Sequence, residues 1–154
     1  VEQLIEENHL RWDSLGEFLA LAVSLEHLGI QYNNSKAKAL GEALDKATAT
    51  LLLSGKSPSR KVKEIDNRGS HYYLAMYWAE ELAKSSDAEL STAFSELAKE
   101  LSANETTIVE ELNNVQGEKV NIGGYYFPST ELTSKVMRPS NALNETLESL
   151  LAKA

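Results

Sequence analysis

The chain has 154 residues and a formal net charge of −8, with 42% hydrophobic and 25% charged positions. This size is typical of one globular domain, and the few glycines and prolines favour a mostly α-helical fold. The acidic charge excludes a broad basic surface for nucleic acid or an anionic membrane, and the lack of cysteine excludes disulfides and thiolate catalysis. We therefore expect a cytoplasmic helical protein with no nucleic-acid or membrane partner.

The first half of the chain begins with three predicted helices. Ser14 and Glu17 have the spacing of a capping box, and the apolar periodicity after them predicts a helix that ends near Gly29. The same periodicity predicts a second helix over residues 35–54. A short third helix is expected to begin at Pro58, because proline suits the first helical position.

A fourth, aromatic helix is predicted after a turn signal at residues 66–69. Ser70 is its expected N-cap, and the helix continues through the sequence HYYLAMYWAEELA. Its tyrosines and tryptophan spread over more than one face, which indicates a helix buried on most sides. We interpret these rings as core residues in preference to a ring-stacking ligand site.

The second half of the chain adds further helices and one irregular segment. Leucine and phenylalanine at alternating spacings of four and three predict two antiparallel helices between residues 90 and 117. Residues 119–127 are predicted as a short extended piece or hairpin, because apolar residues alternate there before a Gly-Gly pair. A helical turn over residues 132–137 and a last helix capped by Ser140 complete an antiparallel domain of about seven helices.

Metal ligation is one hypothesis for the N-terminal residues. Glu6 and His9 have the Glu-x-x-His spacing of helical metal ligands, but carboxylate-bridged bundles require two such pairs and further carboxylates. An isolated pair of this kind is far more often unrelated to metal. The sequence also has no Walker loop, dinucleotide fingerprint or nucleophile elbow, so it shows no complete active site.

The stretch SGKSPSRKVKEIDNRGSH, residues 54–71, is basic within an acidic chain. If a helix begins at Pro58, its exposed amides lie next to Arg60, and both favour an anion at the same point. A phosphate group fits such a site. Taken alone the pattern is a weak indication, because surface lysines and arginines are usually only solvated.

A second candidate binding element is the tripeptide Arg11-Trp12-Asp13, which lies directly before the first predicted helix. The arginine supplies charge, the indole supplies a flat face, and the carboxylate accepts from hydroxyl or amine donors. Like the basic stretch, this tripeptide needs further support before it indicates a ligand.

Four blocks of the sequence are long and specific: RWDSLGEFLALAVSLEHLG, KSPSRKVKEIDNRGSHYYLAMYWAEELA, GGYYFP and LTSKVMRPSNALNETL. In this order, across residues 10–150, they resemble the C-terminal part of the monomeric NADP-dependent isocitrate dehydrogenases. Members of that family are several times longer, and this chain begins at Val1 without a methionine. We therefore expect it to be the C-terminal portion of a longer enzyme.

The resemblance also implies a function and a division of roles. Such enzymes convert isocitrate to 2-oxoglutarate by oxidative decarboxylation, with NADP and Mg²⁺ or Mn²⁺. By resemblance, Arg11, Trp12 and Asp13 are coenzyme contacts and Arg60 contacts the 2′-phosphate of NADP. The catalytic residues and metal ligands are expected upstream of Val1. Residues 1–154 would be one helical unit of the smaller domain, with the remainder of the same chain as its partner.

Two other functions stay open on the sequence. The chain could be a non-enzymatic helical interaction module that binds a protein through the aromatic helix and GGYYFP, which an exposed apolar patch would favour. A carboxylate-metal bundle around Glu6 and His9 is the third hypothesis. The isolated chain is expected to show no turnover of isocitrate, to bind NADP weakly at best and to be prone to self-association.

Overall fold

The computed structural model describes residues 1–152 of the chain and contains eight α-helices within them. The helices are α1 (Glu2–Glu7), α2 (Leu15–Gln31), α3 (Ser35–Leu53), α4 (Asn67–Ala83), α5 (Ala88–Ala103), α6 (Glu105–Asn114), α7 (Thr130–Met137) and α8 (Asn141–Leu151). The described residues form no strand, so the predicted helical fold class is confirmed. No helix within residues 1–152 has both the length and the apolar character needed to cross a bilayer.

Helix α2 begins where the sequence predicts, but its capping box does not form. Ser14 Oγ accepts instead from Asn67 Nδ2 at 2.9 Å, and Glu17 accepts from the Trp12 indole N–H at 3.0 Å. Both side chains therefore tie the start of α2 to neighbouring segments. The second predicted helix forms as α3 and packs antiparallel on α2.

The aromatic helix α4 lies at the centre of the fold, packed against α3 and α5. Tyr72 is buried and donates its hydroxyl to Leu101 O at 2.8 Å, while Tyr73 donates to Glu105 Oε1 at 2.8 Å. Because buried phenol groups need a partner, these bonds make the rings compatible with the interior. The interpretation of the aromatic residues as core is confirmed.

The residues predicted as a turn before α4 are instead its first turn. Asp66 is the N-cap, and its Oδ1 accepts from the N–H groups of Arg68 at 2.9 Å and Gly69 at 3.4 Å. Ser70, the predicted cap, is buried within the helix. Since Asp66 satisfies amides that would otherwise be unpaired, the helix begins at Asn67.

No helix begins at Pro58, so the prediction of a short third helix is wrong. Residues 54–66 form a loop between α3 and α4, in which the Ser59 N–H donates to Ile65 O at 2.7 Å. Ser59 Oγ accepts from the Lys61 N–H at 3.1 Å. Local hydrogen bonds of this kind compete with a helical turn, because they occupy the amides that a helix would use.

The C-terminal helices surround α4 on its other side. Helix α5 packs chiefly on α4, whereas α6 packs on α4 and α8. The two helices predicted between residues 90 and 117 therefore form as α5 and α6. They pack mainly on α4 and α8 and less on each other. The predicted turn over residues 132–137 is the full helix α7, and Ser140 caps α8 by accepting from the Leu143 N–H at 3.1 Å.

The segment predicted as extended or hairpin, residues 119–127, is a loop without a strand. The Val120 N–H donates to Ile5 O at 2.9 Å, which holds the loop against the additional helix α1. The Ser129 N–H donates to Ile122 O at 2.7 Å and closes the loop before α7. The backbone of this loop is thus hydrogen-bonded to α1 and to the residue that caps α7.

Candidate binding site

The segment of residues 11–13 lies against the start of α4. The Leu10 N–H donates to Asp66 Oδ2 at 3.1 Å, and the Leu10 carbonyl accepts from the Asn67 N–H at 2.8 Å. Asn67 Nδ2 also donates to the carbonyl of Trp12 at 2.9 Å. The backbone of the tripeptide is therefore held at several points by α4, and its side chains are left to solvent.

All three side chains of the tripeptide are exposed, and Trp12 is 61% exposed. Asp13 Oδ1 accepts from the Leu15 N–H at 3.1 Å, which fixes the approach to α2. Among residues 1–152, the side chain of Arg11 makes no hydrogen bond or ion pair. A charged guanidinium and an exposed indole thus lie side by side on a fixed backbone.

A buried ion pair joins this segment to the helices behind it. Arg68 and Asp66 approach to 2.6 Å, with side chains 2% and 0% exposed. The five guanidinium N–H groups of Arg68 are all used, by Asp66, by both oxygens of Asn8 and by the carbonyl of Val136. Arg68 therefore connects the residues before Arg11 to the start of α4 and to the end of α7. It has no N–H donor left for a ligand.

The other cations of the basic stretch, apart from Arg60, also have partners within the protein. These contacts are Lys56 over the ring of Tyr73 at 4.1 Å, Lys61 with Glu64 at 3.6 Å and Lys63 Nζ with the carbonyl of Asn114 at 2.9 Å. Arg60 is exposed, and its side chain has no such partner within residues 1–152. It is the member of the stretch that remains available to an external anion.

The segments of Arg11 and Arg60 are neighbours in space. His9, two residues before Arg11, bonds through Nε2 to the carbonyl of Ser59 at 2.9 Å, and Ser59 directly precedes Arg60. The predicted helix N-terminus does not contribute, since no helix begins beside Arg60. No helix dipole therefore adds to the charge of the Arg60 guanidinium.

One carboxylate belongs to the same loop as Arg60. The hydroxyl of Ser59 donates to Glu64 and lowers the pKa of that carboxyl below its ordinary value of 4.5, and the charge of Lys61 acts in the same direction. Glu64 therefore stays ionised at neutral pH and helps to hold the loop. Because Lys61 is paired with it, that lysine is less available to a ligand.

Glu6 and His9 do not share a helix face. Helix α1 ends before His9, and Asn8 has a left-handed φ of 46°. Glu6 pairs with Lys119, and both ring nitrogens of His9 have protein partners. No group of three or more potential metal-ligating side chains occurs in the described part of the chain.

The supporting residues of the site were missed in the sequence. The sequence gives Arg68 no role beyond its place in the basic stretch of residues 54–71, and it places Asp66 in a turn. The only local signal was an Asp followed within three residues by Arg and Gly, which fits a turn as well as a cap. Apart from Asp66, the partners of Arg68 are 60 and 68 positions away in the chain, and local patterns carry no information on them.

A family model for monomeric isocitrate dehydrogenase matches residues 1–148, and the chain belongs to this family. It is 60% identical over 151 residues to isocitrate dehydrogenase (NADP) 2 of Psychrobacter sp. (strain 13A). The identities to isocitrate dehydrogenase (NADP) 2 of Mycobacterium tuberculosis and to isocitrate dehydrogenase (NADP) of Azotobacter vinelandii are 57% and 58%. Each alignment covers 97% of this chain and 20% of the relative, so the chain spans about one fifth of the relatives' length.

Proposed function

We propose that this chain is the C-terminal portion of an NADP-dependent isocitrate dehydrogenase and that it binds the 2′-phosphate and adenosine end of the coenzyme. The complete enzyme would convert isocitrate to 2-oxoglutarate by oxidative decarboxylation. Its Mg²⁺ or Mn²⁺ ligands and its catalytic residues would lie outside this chain. The names of the relatives and their coverage of 20% support this proposal.

In this proposal Arg11 and Arg60 bind the 2′-phosphate, because a planar guanidinium matches the geometry of phosphate oxygens. Each charged hydrogen bond contributes about 1.5–3 kcal/mol, so two arginines supply most of the preference for NADP over NAD. Trp12 offers its indole face near the adenosine, and Asp13 offers an acceptor to a hydroxyl or amine donor. The bound coenzyme supplies the hydride chemistry at its nicotinamide, and these residues hold its far end.

One observation carries the proposal. The chain has four arginines, and Arg68 and Arg138 have hydrogen-bond partners within it. Within residues 1–152, Arg11 and Arg60 have none, and they lie on segments joined through His9 and Ser59. Two free guanidinium groups on adjacent, backbone-fixed segments are what a doubly charged phosphate ester requires.

The test is Arg60→Ala in the complete enzyme. We expect the Kd for NADP to rise at least tenfold, since one charged hydrogen bond of about 1.5–3 kcal/mol is lost, and the Kd for NAD to stay within about twofold. Both constants are measured by titration calorimetry. Lys61→Ala is the matched control, because it removes an adjacent exposed cation that is paired with Glu64. Equal losses for NADP and NAD in Arg60→Ala would reject the assignment.

The exposed apolar surface of α2 supports the proposal that the rest of the longer enzyme is the packing partner of this chain. This helix leaves large apolar side chains exposed to solvent, and two leucines at the end of α3 are exposed as well. They are Leu19, Leu21, Val23, Leu28, Ile30, Leu52 and Leu53. Because water-exposed apolar surface of this kind is uncommon on a complete domain, the remaining four fifths of the enzyme would cover it. Residues 1–154 would then be one helical part of the smaller domain.

A second candidate function is a helical module that binds another protein. It is favoured by the loop GGYYFP, in which Tyr125, Tyr126 and Phe127 are 57%, 84% and 90% exposed. Aromatic side chains are frequent anchors at protein interfaces. The aromatic helix α4 no longer supports this candidate, because Tyr72 and Tyr73 lie in the core.

A further inference from the structure

His9 is a completely buried histidine whose two ring nitrogens are both engaged. Nδ1 lies 2.8 Å from Gln116 Oε1, and Nε2 lies 2.9 Å from the carbonyl oxygen of Ser59. The ring therefore spans from the C-terminal end of α6 to the loop that carries Arg60.

The orientation of Gln116 shows that both partners of the ring are acceptors. Gln116 Oε1 also accepts from the Lys63 N–H at 2.7 Å, while its Nε2 donates to the carbonyl of Glu64 at 3.0 Å. With the amide oriented in this way, each ring nitrogen of His9 faces an acceptor, and Nε2 donates to the carbonyl of Ser59 when it carries the proton.

The bond from His9 to Ser59 links the two arginine-bearing segments directly. Among the described residues it is the hydrogen bond that joins residues 9–13 to residues 56–61. The other hydrogen bonds of these residues go to the start of α4, to Gln116, to residues of α2 and α3, or to other residues of the loop between α3 and α4. This ring is therefore the direct hydrogen-bonded contact between the two segments.

We propose that His9 is a positioning residue for the 2′-phosphate site: by bonding to the carbonyl of Ser59, it holds Arg60 at the distance from Arg11 that one phosphate group can bridge. This inference rests on the proposed NADP site. A phosphate bound by two guanidinium groups requires both at fixed positions, and a loop that drifts loses one of them. His9 touches neither the phosphate nor the reacting atoms.

Two substitutions of His9 test the contacts of its two ring nitrogens one at a time. In His9→Gln the amide Nε2 lies close to the position of the imidazole Nε2 and keeps a donor toward Ser59. In His9→Asn the amide Nδ2 replaces Nδ1, so the bond toward Gln116 is kept and the bond to Ser59 is lost. The two substitutions therefore differ in the one contact that the proposal depends on.

The probes are 2′,5′-ADP, which carries the 2′-phosphate, and 5′-AMP, which does not, and binding to the complete enzyme is measured by calorimetry. We expect His9→Asn to raise the Kd for 2′,5′-ADP about tenfold, the effect of one lost charged hydrogen bond. The Kd for 5′-AMP should rise less than twofold. In His9→Gln the Kd for each probe should stay within about threefold of the value for the unchanged enzyme. A residue that only supports the fold would weaken both probes alike in both variants, and that outcome overturns the proposal.

The double variant Arg60→Ala with His9→Asn tests whether His9 acts through Arg60. If it does, His9→Asn adds less than twofold to the loss of 2′,5′-ADP affinity in Arg60→Ala, because the effects of coupled residues are not additive. A full additional tenfold loss would contradict the mechanism.

If Arg60→Ala does not distinguish the two probes, the proposed NADP site itself fails. If Arg60→Ala does distinguish them and His9→Asn does not, this inference alone fails.

An insertion provides a test that leaves the buried ring untouched. One glycine inserted between Ser59 and Arg60 keeps the bond to His9 but displaces the arginine from its anchor, in a loop where Arg60 is exposed. We expect a loss of 2′,5′-ADP affinity of about tenfold, with 5′-AMP unchanged. Unchanged affinity for 2′,5′-ADP shows that anchoring does not position Arg60, and it overturns the proposal even where His9→Asn does not fold.

Discussion

At the scale of single residues, the candidate site depends on polar side chains that are buried behind it. Asp66 caps α4 and also binds Arg68 and the backbone of Leu10. Each of these bonds satisfies a group that burial would otherwise leave unpaired, which costs free energy. The bonds to Leu10 and Asn8 also hold the backbone that leads into Arg11.

The first residue-scale prediction concerns this buried pair. Arg68→Met leaves the carboxylate of Asp66 buried without a cation, and we expect the free energy of unfolding to fall by about 3–5 kcal/mol. Urea denaturation of the chain, followed by circular dichroism, measures the change. Lys135→Met is the control, since it removes an exposed pair with Glu131 and should cost less than about 1 kcal/mol. Similar losses in the two variants would show that the buried pair has no structural role.

The second residue-scale prediction concerns acid and the Arg60 loop. The folded protein lowers the pKa of Glu64 from 4.5 through the Ser59 hydroxyl, so its ionised form stabilises the loop. That contribution is fully present above pH 4.5 and is lost as the pH falls through the lowered pKa. Hydrogen exchange of residues 56–66, corrected for its intrinsic pH dependence, should therefore accelerate on acidification.

Two variants test this assignment. Glu64→Gln should remove the pH dependence of the exchange in this loop, because its amide does not titrate. Glu118→Gln changes an exposed carboxylate outside the loop and should leave the dependence as it is. Unchanged acid sensitivity in Glu64→Gln would assign the effect to another group.

At the scale of helices, α2 and α3 approach closely because two glycines face the neighbouring helix. A Cβ built on Gly41 would lie 2.9 Å from Ala22 O and 3.0 Å from Glu26 N. A Cβ on Gly29 would lie 2.8 Å from Lys38 N. These neighbours are backbone atoms that cannot move aside as a side chain can, so the packing of this pair requires glycine at both positions.

The element-scale prediction compares two glycine-to-alanine changes in the same helix pair. Gly41→Ala should destabilise the chain by about 1–3 kcal/mol, because overpacking outweighs the better helix propensity of alanine. Gly16→Ala should stabilise it by about 0.5–1 kcal/mol, since a Cβ there has no atom within 4 Å. Thermal and urea unfolding give both values. A stabilising Gly41→Ala would mean that the helices separate at no cost.

At the scale of the whole molecule, the chain has one main core and an uncovered apolar face. The core joins residues of α2 through α6, and α8 packs against it. On the outer side of α2, Val23 and Ile30 are 64% and 75% exposed and lie seven residues apart, on one face of the helix. This combination fits a fragment that is internally well packed and completed by more of its own chain.

The whole-molecule prediction is that the isolated chain associates with itself through this face. Sedimentation analysis should show dimers or larger species at micromolar concentration, and the double change Val23→Gln with Ile30→Gln should shift the chain toward monomer without lowering its melting temperature. Tyr126→Gln with Phe127→Gln is the matched control on the other exposed apolar surface. If only the aromatic-loop variant restores the monomer, the interaction surface is GGYYFP and the second candidate function gains support.

The sequence by itself determined the features that repeat locally. Apolar periodicity and caps predicted α2, α3, α5, α6 and α8, because a helix buries one face at a period of 3.6 residues. The long blocks such as RWDSLGEF and SPSRKVKEI identified the family. The sequence also pointed to Arg11 and Arg60 as candidate coenzyme contacts, through the resemblance of RWD and SPSRK to the family.

Only the tertiary structure decided which charges are free. Arg60 and Arg68 look alike in the sequence, yet Arg68 is buried with every donor used and Arg60 is exposed. The absence of a helix at Pro58, the capping of α4 by Asp66 and the contact of His9 with Ser59 were equally invisible. The contact of His9 depends on a partner 50 positions away in the chain. The other two depend on which of several local hydrogen bonds forms, and a local pattern that fits both a turn and a cap does not decide this.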